Sequence, residues 1–269
     1  MLRRVPRPDS RRVAAAQLEL VGDDREGNLQ RALALARKAV AGKAEFACFP
    51  ECMTSDYTRE AHRFAEPIPG PSCEPFLALA RESGTYFLIG LFERDGGHIY
   101  NTVAILGPDG LAGRYRKRKL WVDTGHLEGL DDPAMFEPGD LPNVLEFGGL
   151  RVGVLVCWDG QYDEVWEDIR AGGARVIFYP NNRGTIEPDA VAKRAKALSI
   201  PIVGVNRVGL RRIYPPDLER TRKAMPHSLV KGDKVYYRAV GDSAIIDAQG
   251  RILAHNAGSE TLLFADLDL

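Results

Sequence analysis

The stretch Arg151-Val152-Gly153-Val154-Leu155-Val156-Cys157-Trp158-Asp159-Gly160 decides the reading of this chain. The apolar run 152–156 has strand length, and its lack of polar alternation predicts a buried strand. Polarity changes abruptly at Cys157, where Trp158, Asp159 and Gly160 follow. A residue at the carboxyl end of such a strand faces the rim of the sheet, where open α/β proteins place ligands. Cys157 is therefore either a small core residue or a nucleophile. The backbone N–H groups that follow it are placed to stabilise an anion beside the sulfur.

Working outward, strand-length apolar runs intermix with helix-period segments. Upstream, strands are expected at 12–20, 45–50 and 86–92, with an antiparallel pair at 99–106 and 111–115 around Gly107-Pro108-Asp109-Gly110. Helices are expected at 28–41, capped by Asp23, Asp24 or Asn28, and at 74–83. Downstream, 143–147 and 151–158 flank a Gly148-Gly149 turn. Strands follow at 174–179, 200–206, 243–247, 251–255 and 261–266, with helices at 162–171 and 187–198. No Pro/Ser-rich linker divides the halves, so residues 12–269 read as one α/β domain behind a flexible basic arm, residues 1–11. The segment 209–238 fits least well. Rich in Arg, Lys and Pro, it reads as a solvated excursion or as a loop bordering a site or subunit contact.

Composition narrows the function. The 269 residues carry 36 Lys+Arg against 37 Asp+Glu, and a net charge of -1 argues against a whole-chain role on nucleic acid or anionic membrane. No run approaches the length of a membrane span. Cys48, Cys52, Cys73 and Cys157 are too unevenly spaced for a disulfide framework, which predicts reduced thiols in a cytoplasmic protein. Five scattered histidines make a His-built metal site unexpected.

A nucleophilic thiol needs a base or a positive field. No His lies near Cys157 in sequence, whereas Glu51 ends a second apolar run, 46–50, behind Pro50. A carboxylate at the exit of a buried strand suits a general base, and the competing reading is an ordinary polar residue at a strand end. The third element is Tyr115-Arg116-Lys117-Arg118-Lys119. By default it is a solvated face or an anion patch, but one Lys turned inward would support a tetrahedral oxyanion.

In this order and with these flanks the chain resembles the nitrilase superfamily, the carbon–nitrogen hydrolases with a Glu-Lys-Cys triad, over nearly its whole length. Ala14-Ala15-Ala16-Gln17-Leu18-Glu19 resembles the family's first strand. Phe49-Pro50-Glu51 resembles its base block, Tyr115-Arg116-Lys117 its lysine block, and Val154-Leu155-Val156-Cys157-Trp158-Asp159 its nucleophile block. Gly172-Gly173-Ala174 and the run Gly241-Asp242-Ser243-Ala244-Ile245-Ile246-Asp247 match the downstream pattern. There are departures. Lys119 stands where the family often has His, and Gly160-Gln161-Tyr162-Asp163-Glu164 replaces an Arg-x-Pro-Glu element. Members often carry a second Glu before a Phe-x-Pro-Gly turn, here Phe136-Glu137-Pro138-Gly139. Glu128 is the preferred reading for it, and counting back from the turn selects Asp132.

The resemblance implies a four-layer α-β-β-α sandwich and a homodimer or larger homo-oligomer. It implies Glu51 as base, Cys157 as nucleophile, and Lys117 with the Trp158 N–H on the oxyanion, with the second acid holding Lys117 and positioning the substrate. The reaction would be hydrolysis of a small-molecule amide of N-carbamoyl or ω-amide type, through a thioester and without metal or cofactor. Lys117 beside the sulfur would lower the thiol pKa. Arg183, in Asn181-Asn182-Arg183-Gly184, follows a strand expected to end near the site and, with Asn182, is a candidate for binding a substrate carboxylate. Nitrile hydrolysis, acyl transfer from the same thioester and a silent binding subunit are the alternatives.

Overall fold

A computed structural model describes residues 10–122, 132–213, 228–231 and 234–269. In chain order the first strands are β1 (Ser10–Glu19), β2 (Phe46–Cys48), β3 (Tyr86–Asp95), β4 (His98–Gly107) and β5 (Gly110–Arg116). They are followed by β6 (Val144–Phe147), β7 (Leu150–Val154), β8 (Val176–Pro180), β9 (Ile202–Val205) and β10 (Arg207–Ile213). The last are β11 (Ser228–Lys231), β12 (Lys234–Ile246), β13 (Ile252–Ala257) and β14 (Thr261–Asp268). The helices are α1 (Arg25–Ala41), α2 (Ala61–Phe64), α3 (Glu74–Ser83), α4 (Asp163–Ala171) and α5 (Pro188–Leu198). None among the described residues is long and apolar enough to cross a membrane.

The strands form two layers. One runs β5-β4-β3-β2-β1-β14 and the other β6-β7-β8-β9-β12-β13. Strand β10 bridges them, parallel to the end of β1 and antiparallel to the first half of β12. Side-chain alternation explains why β1 is apolar on both faces. Val13 and Ala15 face the second sheet, in a core shared with Phe46, Val154, Phe178 and Val203. Ala14 and Ala16 face α1 and α3, against Ala32, Leu35 and Phe76. On the far side Leu155, Ile177 and Ile202 pack on Val165, Ile169, Val191 and Ala195 of α4 and α5. The result is the expected α-β-β-α sandwich.

The central strands β1, β2 and β3 are mutually parallel, as are β7, β8 and β9, so chain reversals collect at their carboxyl ends. Helix α1 starts before the expected Asn28 because Asp24 caps it, accepting the Gly27 N–H at 3.0 Å. Asn28 is buried instead and exchanges hydrogen bonds with the backbone of Val21. Strand β1 begins at Ser10, inside the residues expected as a free arm.

Two expectations need correction. Strand β7 stops at Val154, and Cys157–Gln161 forms a 3₁₀ helix, so Cys157 opens a tight turn rather than closing the strand. The described part of 209–238 is regular sheet: β10, β11 and the first half of β12 pair antiparallel. Long basic side chains hid this pattern, since they can lie along a sheet and still reach water. Strand β12 then bulges between Gly241 and Ser243 and crosses into the second layer to pair with β9 and β13.

Candidate active site

Glu51 follows β2 directly. The Phe49 N–H still bonds Leu88 (2.8 Å), and Met53 N–H donates to Gly90 (2.8 Å), so the turn after Pro50 is pinned onto β3. The approach is close enough to need glycine. A Cβ on Gly90 would lie 2.4 Å from the Pro50 oxygen and 2.7 Å from Glu51 Cα. The Glu51 side chain is 1% exposed. Its Oε1 accepts from Asn101 Nδ2 at 2.7 Å and Lys117 Nζ at 3.0 Å, while Oε2 has no partner.

Lys117 lies just beyond β5. Its N–H donates to Asn101 O and its carbonyl accepts from Gly139, both at 2.8 Å. Alternation sends its neighbour the other way: Arg116 makes a bidentate pair with buried Glu93 at 2.7 and 2.8 Å. Lys117 Nζ also sits 2.7 Å from Asp132 Oδ2. Burial alone would lower the ammonium pKa, but Glu51 and the Cys157 side chain outweigh it and the value rises. Asp132 is fully buried. It accepts the Trp121 N–H at 2.7 Å and the Tyr57 hydroxyl, and burial together with Glu51 pushes its pKa well up. Asp132, one of the two acids weighed for this place, meets Lys117; the preferred reading, Glu128, lies outside the described residues.

Cys157 has a left-handed φ of 46°, a strained conformation for a residue with a Cβ. Asp159, fully buried, holds the turn. Its Oδ2 accepts from Val156 N–H and Tyr115 hydroxyl, both at 2.9 Å. Its Oδ1 accepts the N–H groups of Arg118 (3.1 Å) and Lys119 (2.7 Å). One carboxylate therefore fastens the cysteine turn to the lysine loop. Its only signal in the sequence was its place two residues after the cysteine. The Tyr179 hydroxyl donates to the Cys157 carbonyl at 2.8 Å. Burial, then the Glu51 carboxylate, push the thiol up to about 12 against the opposing pull of Lys117, Arg183 and the Asn182 N–H. The expected lowering by Lys117 is thus overridden, and the resting sulfur is a neutral thiol.

Asn182 and Arg183 follow β8, as expected. Asn182 Nδ2 reaches Asp56 Oδ1 at 2.8 Å and Glu51 O at 3.3 Å, and its Oδ1 accepts from Arg211 at 2.9 Å. Asp56 is in turn paired with buried Arg207 at 2.8 Å. Arg183 is fixed through its backbone by Asn206, and its side chain hydrogen-bonds Tyr179.

These groups converge on one cavity of about 310 Å³, lined by Glu51, Lys117, Cys157, Trp158, Asn182 and Arg183 among others. Tyr57, Trp121, Arg211 and Tyr237 also line it, and sequence reasoning had assigned none of them. Arg211 and Tyr237 come from the segment 209–238, which read either as a solvated excursion or as a loop bordering a site or subunit contact. Among the described residues no three His, Cys, Asp or Glu side chains gather as a metal site would require.

The family model described as Carbon-nitrogen hydrolase matches residues 12–269. The chain belongs to the carbon–nitrogen hydrolase family. Among its relatives, omega-amidase NIT2 of Xenopus tropicalis is 31% identical over 257 residues, covering 93% of this chain and 86% of that protein. Omega-amidase NIT2 of Homo sapiens is 28% identical, covering 96% and 88%. The crystal structure of a carbon-nitrogen hydrolase from Helicobacter pylori G27 superposes with a TM-score of 0.78 at 22% identity, over 97% of this chain and 89% of that one. A cysteine-to-alanine variant of the Nesterenkonia AN1 amidase, from the nitrilase superfamily, gives 0.77 at 22% identity, over 98% and 93%. At that identity the likeness speaks to the fold alone. The hydrolase is an enzyme of thiol-dependent C–N amide cleavage, and its substrate is a small molecule.

Proposed function

We propose that the hydrolase cleaves a linear small-molecule amide, of ω-amide or N-carbamoyl type, with Cys157 as nucleophile, Glu51 as proton carrier and Lys117 as oxyanion support. One observation carries this reading. Glu51 spends one oxygen on Lys117 and Asn101 and keeps the other unpartnered, in the cavity that holds Cys157.

Because the thiol sits at about 12, the proton must leave during attack. Glu51 Oε2 takes it as sulfur bonds to the amide carbon. The oxyanion rests on Lys117 Nζ and the Trp158 N–H, groups already in place before charge develops. The proton on Glu51 passes to the departing nitrogen, the C–N bond breaks, and ammonia or amine leaves a thioester. Water then gives a proton to Glu51 and attacks the thioester; the acid departs and sulfur recovers its proton. Asp132 holds Lys117 through its 2.7 Å contact and takes the role of second acid. It does not line the cavity, so substrate positioning falls to the lining residues Trp158, Asn182 and Arg183.

The relatives named omega-amidases favour an amide over a nitrile. One catalytic unit spanning 12–269, working as a homodimer or larger assembly in the cytoplasm, completes the proposal. Exposed Ile252 and Leu253 on the edge strand β13 support self-association.

Ammonia release from dicarboxylate monoamides, N-carbamoyl amino acids, aliphatic amides and nitriles tests the reading. Turnover of amides that is lost in a folded Cys157→Ala variant is expected. Turnover of nitriles alone, or undiminished amide turnover in that variant, would overturn it.

A further inference from the structure

Two buried carboxylates, Glu51 and Glu93, are served by the same two stretches of chain. Alternation along β4 sends Thr102 to Glu93 and Asn101 to Glu51, each donating at 2.7 Å. Alternation at the end of β5 sends Arg116 to Glu93 and Lys117 to Glu51. Each acid thus receives one neutral donor from β4 and one cation from the chain beside it. The outcomes differ. Glu93 has both oxygens filled, since Oε2 accepts from Thr102 and Arg116 and Oε1 from Arg116 and Arg114. The two donors of Glu51 converge on Oε1, and Oε2 has no partner among the described residues.

Asn101 is 1% exposed and is tied down on both sides. It pairs with Phe92 across the sheet, and its carbonyl accepts the Lys117 N–H at 2.8 Å. Turned over, its amide would set Oδ1 against Glu51 Oε1, acceptor against acceptor, so the partner fixes the orientation. The lysine ammonium carries its donors on a rotating head and can follow a turning carboxylate; a planar carboxamide in a strand cannot. Asn101 Oδ1 is itself buried with no partner among the described residues. For folding alone, an apolar side chain of the same size would therefore serve about as well. Asn101 does not line the cavity, so any effect on the reaction passes through Glu51.

We propose that Asn101 is a positioning residue for the base: its hydrogen bond commits Oε1 to Lys117 and leaves Oε2 as the oxygen that takes the thiol proton. This rests on the role given to Glu51 above. The test uses a reaction of Cys157 that needs no amide, labelling at neutral pH by methyl methanethiosulfonate. The sulfur forms a disulfide with the methylthio group, methanesulfinate leaves, and the thiol proton passes to Glu51. Cys48, Cys52 and Cys73 are buried, and peptide mass spectrometry identifies the labelled site.

Asn101→Leu should slow labelling, and lower kcat, by about 100-fold with KM unchanged, while the urea midpoint stays at or above the native one. Asn101→Ala leaves a cavity, so its urea midpoint should fall. Water admitted beside Oε1 restores a donor, so its rate loss should be smaller, about tenfold. A purely structural role gives the opposite order, with alanine the more harmful. Thr102→Val removes the matching donor from Glu93 and should leave labelling unchanged. Labelling unmoved in both Asn101 variants, a larger loss in Asn101→Ala than in Asn101→Leu, or an equal loss in Thr102→Val would overturn the assignment. Should Asn101→Leu fail to fold, Asn101→Ala against Thr102→Val decides it. If labelling follows the expected order while no amide is turned over, the amidase reading fails and Asn101 still positions Glu51.

Discussion

Two buried acid–base pairs flank the same short turn, Glu51–Lys117 at its start and Asp56–Arg207 at its end. Both carboxylates are almost wholly buried. Asp56 has each oxygen occupied, one by Asn182 and one by Arg207. Glu51 has one oxygen occupied and one unpartnered. The first arrangement stores no reactivity; it fixes Asn182, and through it Arg211 and the wall beside Cys157. The second keeps a desolvated oxygen ready to accept a proton. The comparison teaches that burial and pairing do not by themselves distinguish scaffold from chemistry. The unsatisfied atom does.

The variants that break this comparison fall in a clear order. Glu51→Gln removes the proton carrier and should lower kcat by about 10³-fold, read by steady-state ammonia release, with the urea midpoint little changed. A kcat within tenfold of native would remove Glu51 from the chemistry. Asp56→Asn should do the reverse, leaving Arg207 buried beside a neutral partner. A destabilisation of about 3 kcal/mol is expected by urea unfolding, with kcat of the folded fraction reduced far less than in Glu51→Gln. Asp132→Asn weakens the hold on Lys117 and should cost about 10- to 100-fold in kcat/KM. The smallest effect concerns the thiol. A neighbouring carboxylate disfavours a thiolate, so in Glu51→Gln the Cys157 pKa should fall below its native value of about 12. Thiolate ultraviolet absorbance followed against pH reads this directly, and a rise would contradict the sign.

Much of this was legible in the sequence. The residues of the two sheets announced themselves as unbroken apolar runs, because a strand covered on both faces has no polar alternation. Glu51 and Cys157 each stood where such a run ends, Lys117 stood in a basic run, and the structure brings the three into one cavity. Other features were hidden for physical reasons. Strands β10 to β12 carry basic side chains whose stems can lie on the sheet, so hydropathy read them as loop. Counting back from the Phe136–Gly139 turn selected Asp132, which meets Lys117, while the preferred reading, Glu128, lies outside the described residues. The raised thiol came first from burial and then from Glu51, which is distant in sequence and adjacent in space. Asp159 read only as one of the polar residues that follow Cys157, and the fold shows that it accepts from both the cysteine turn and the lysine loop.

The central claim is that Cys157 carries the acyl group. Rapid quenching of the native enzyme during turnover of its preferred amide, followed by intact-protein and peptide mass spectrometry, tests it most directly. The account predicts a transient adduct whose mass equals the amide less its leaving amine, on the peptide containing Cys157, and none in Cys157→Ala. An adduct on another residue, or continued turnover by the Cys157→Ala variant, would contradict it.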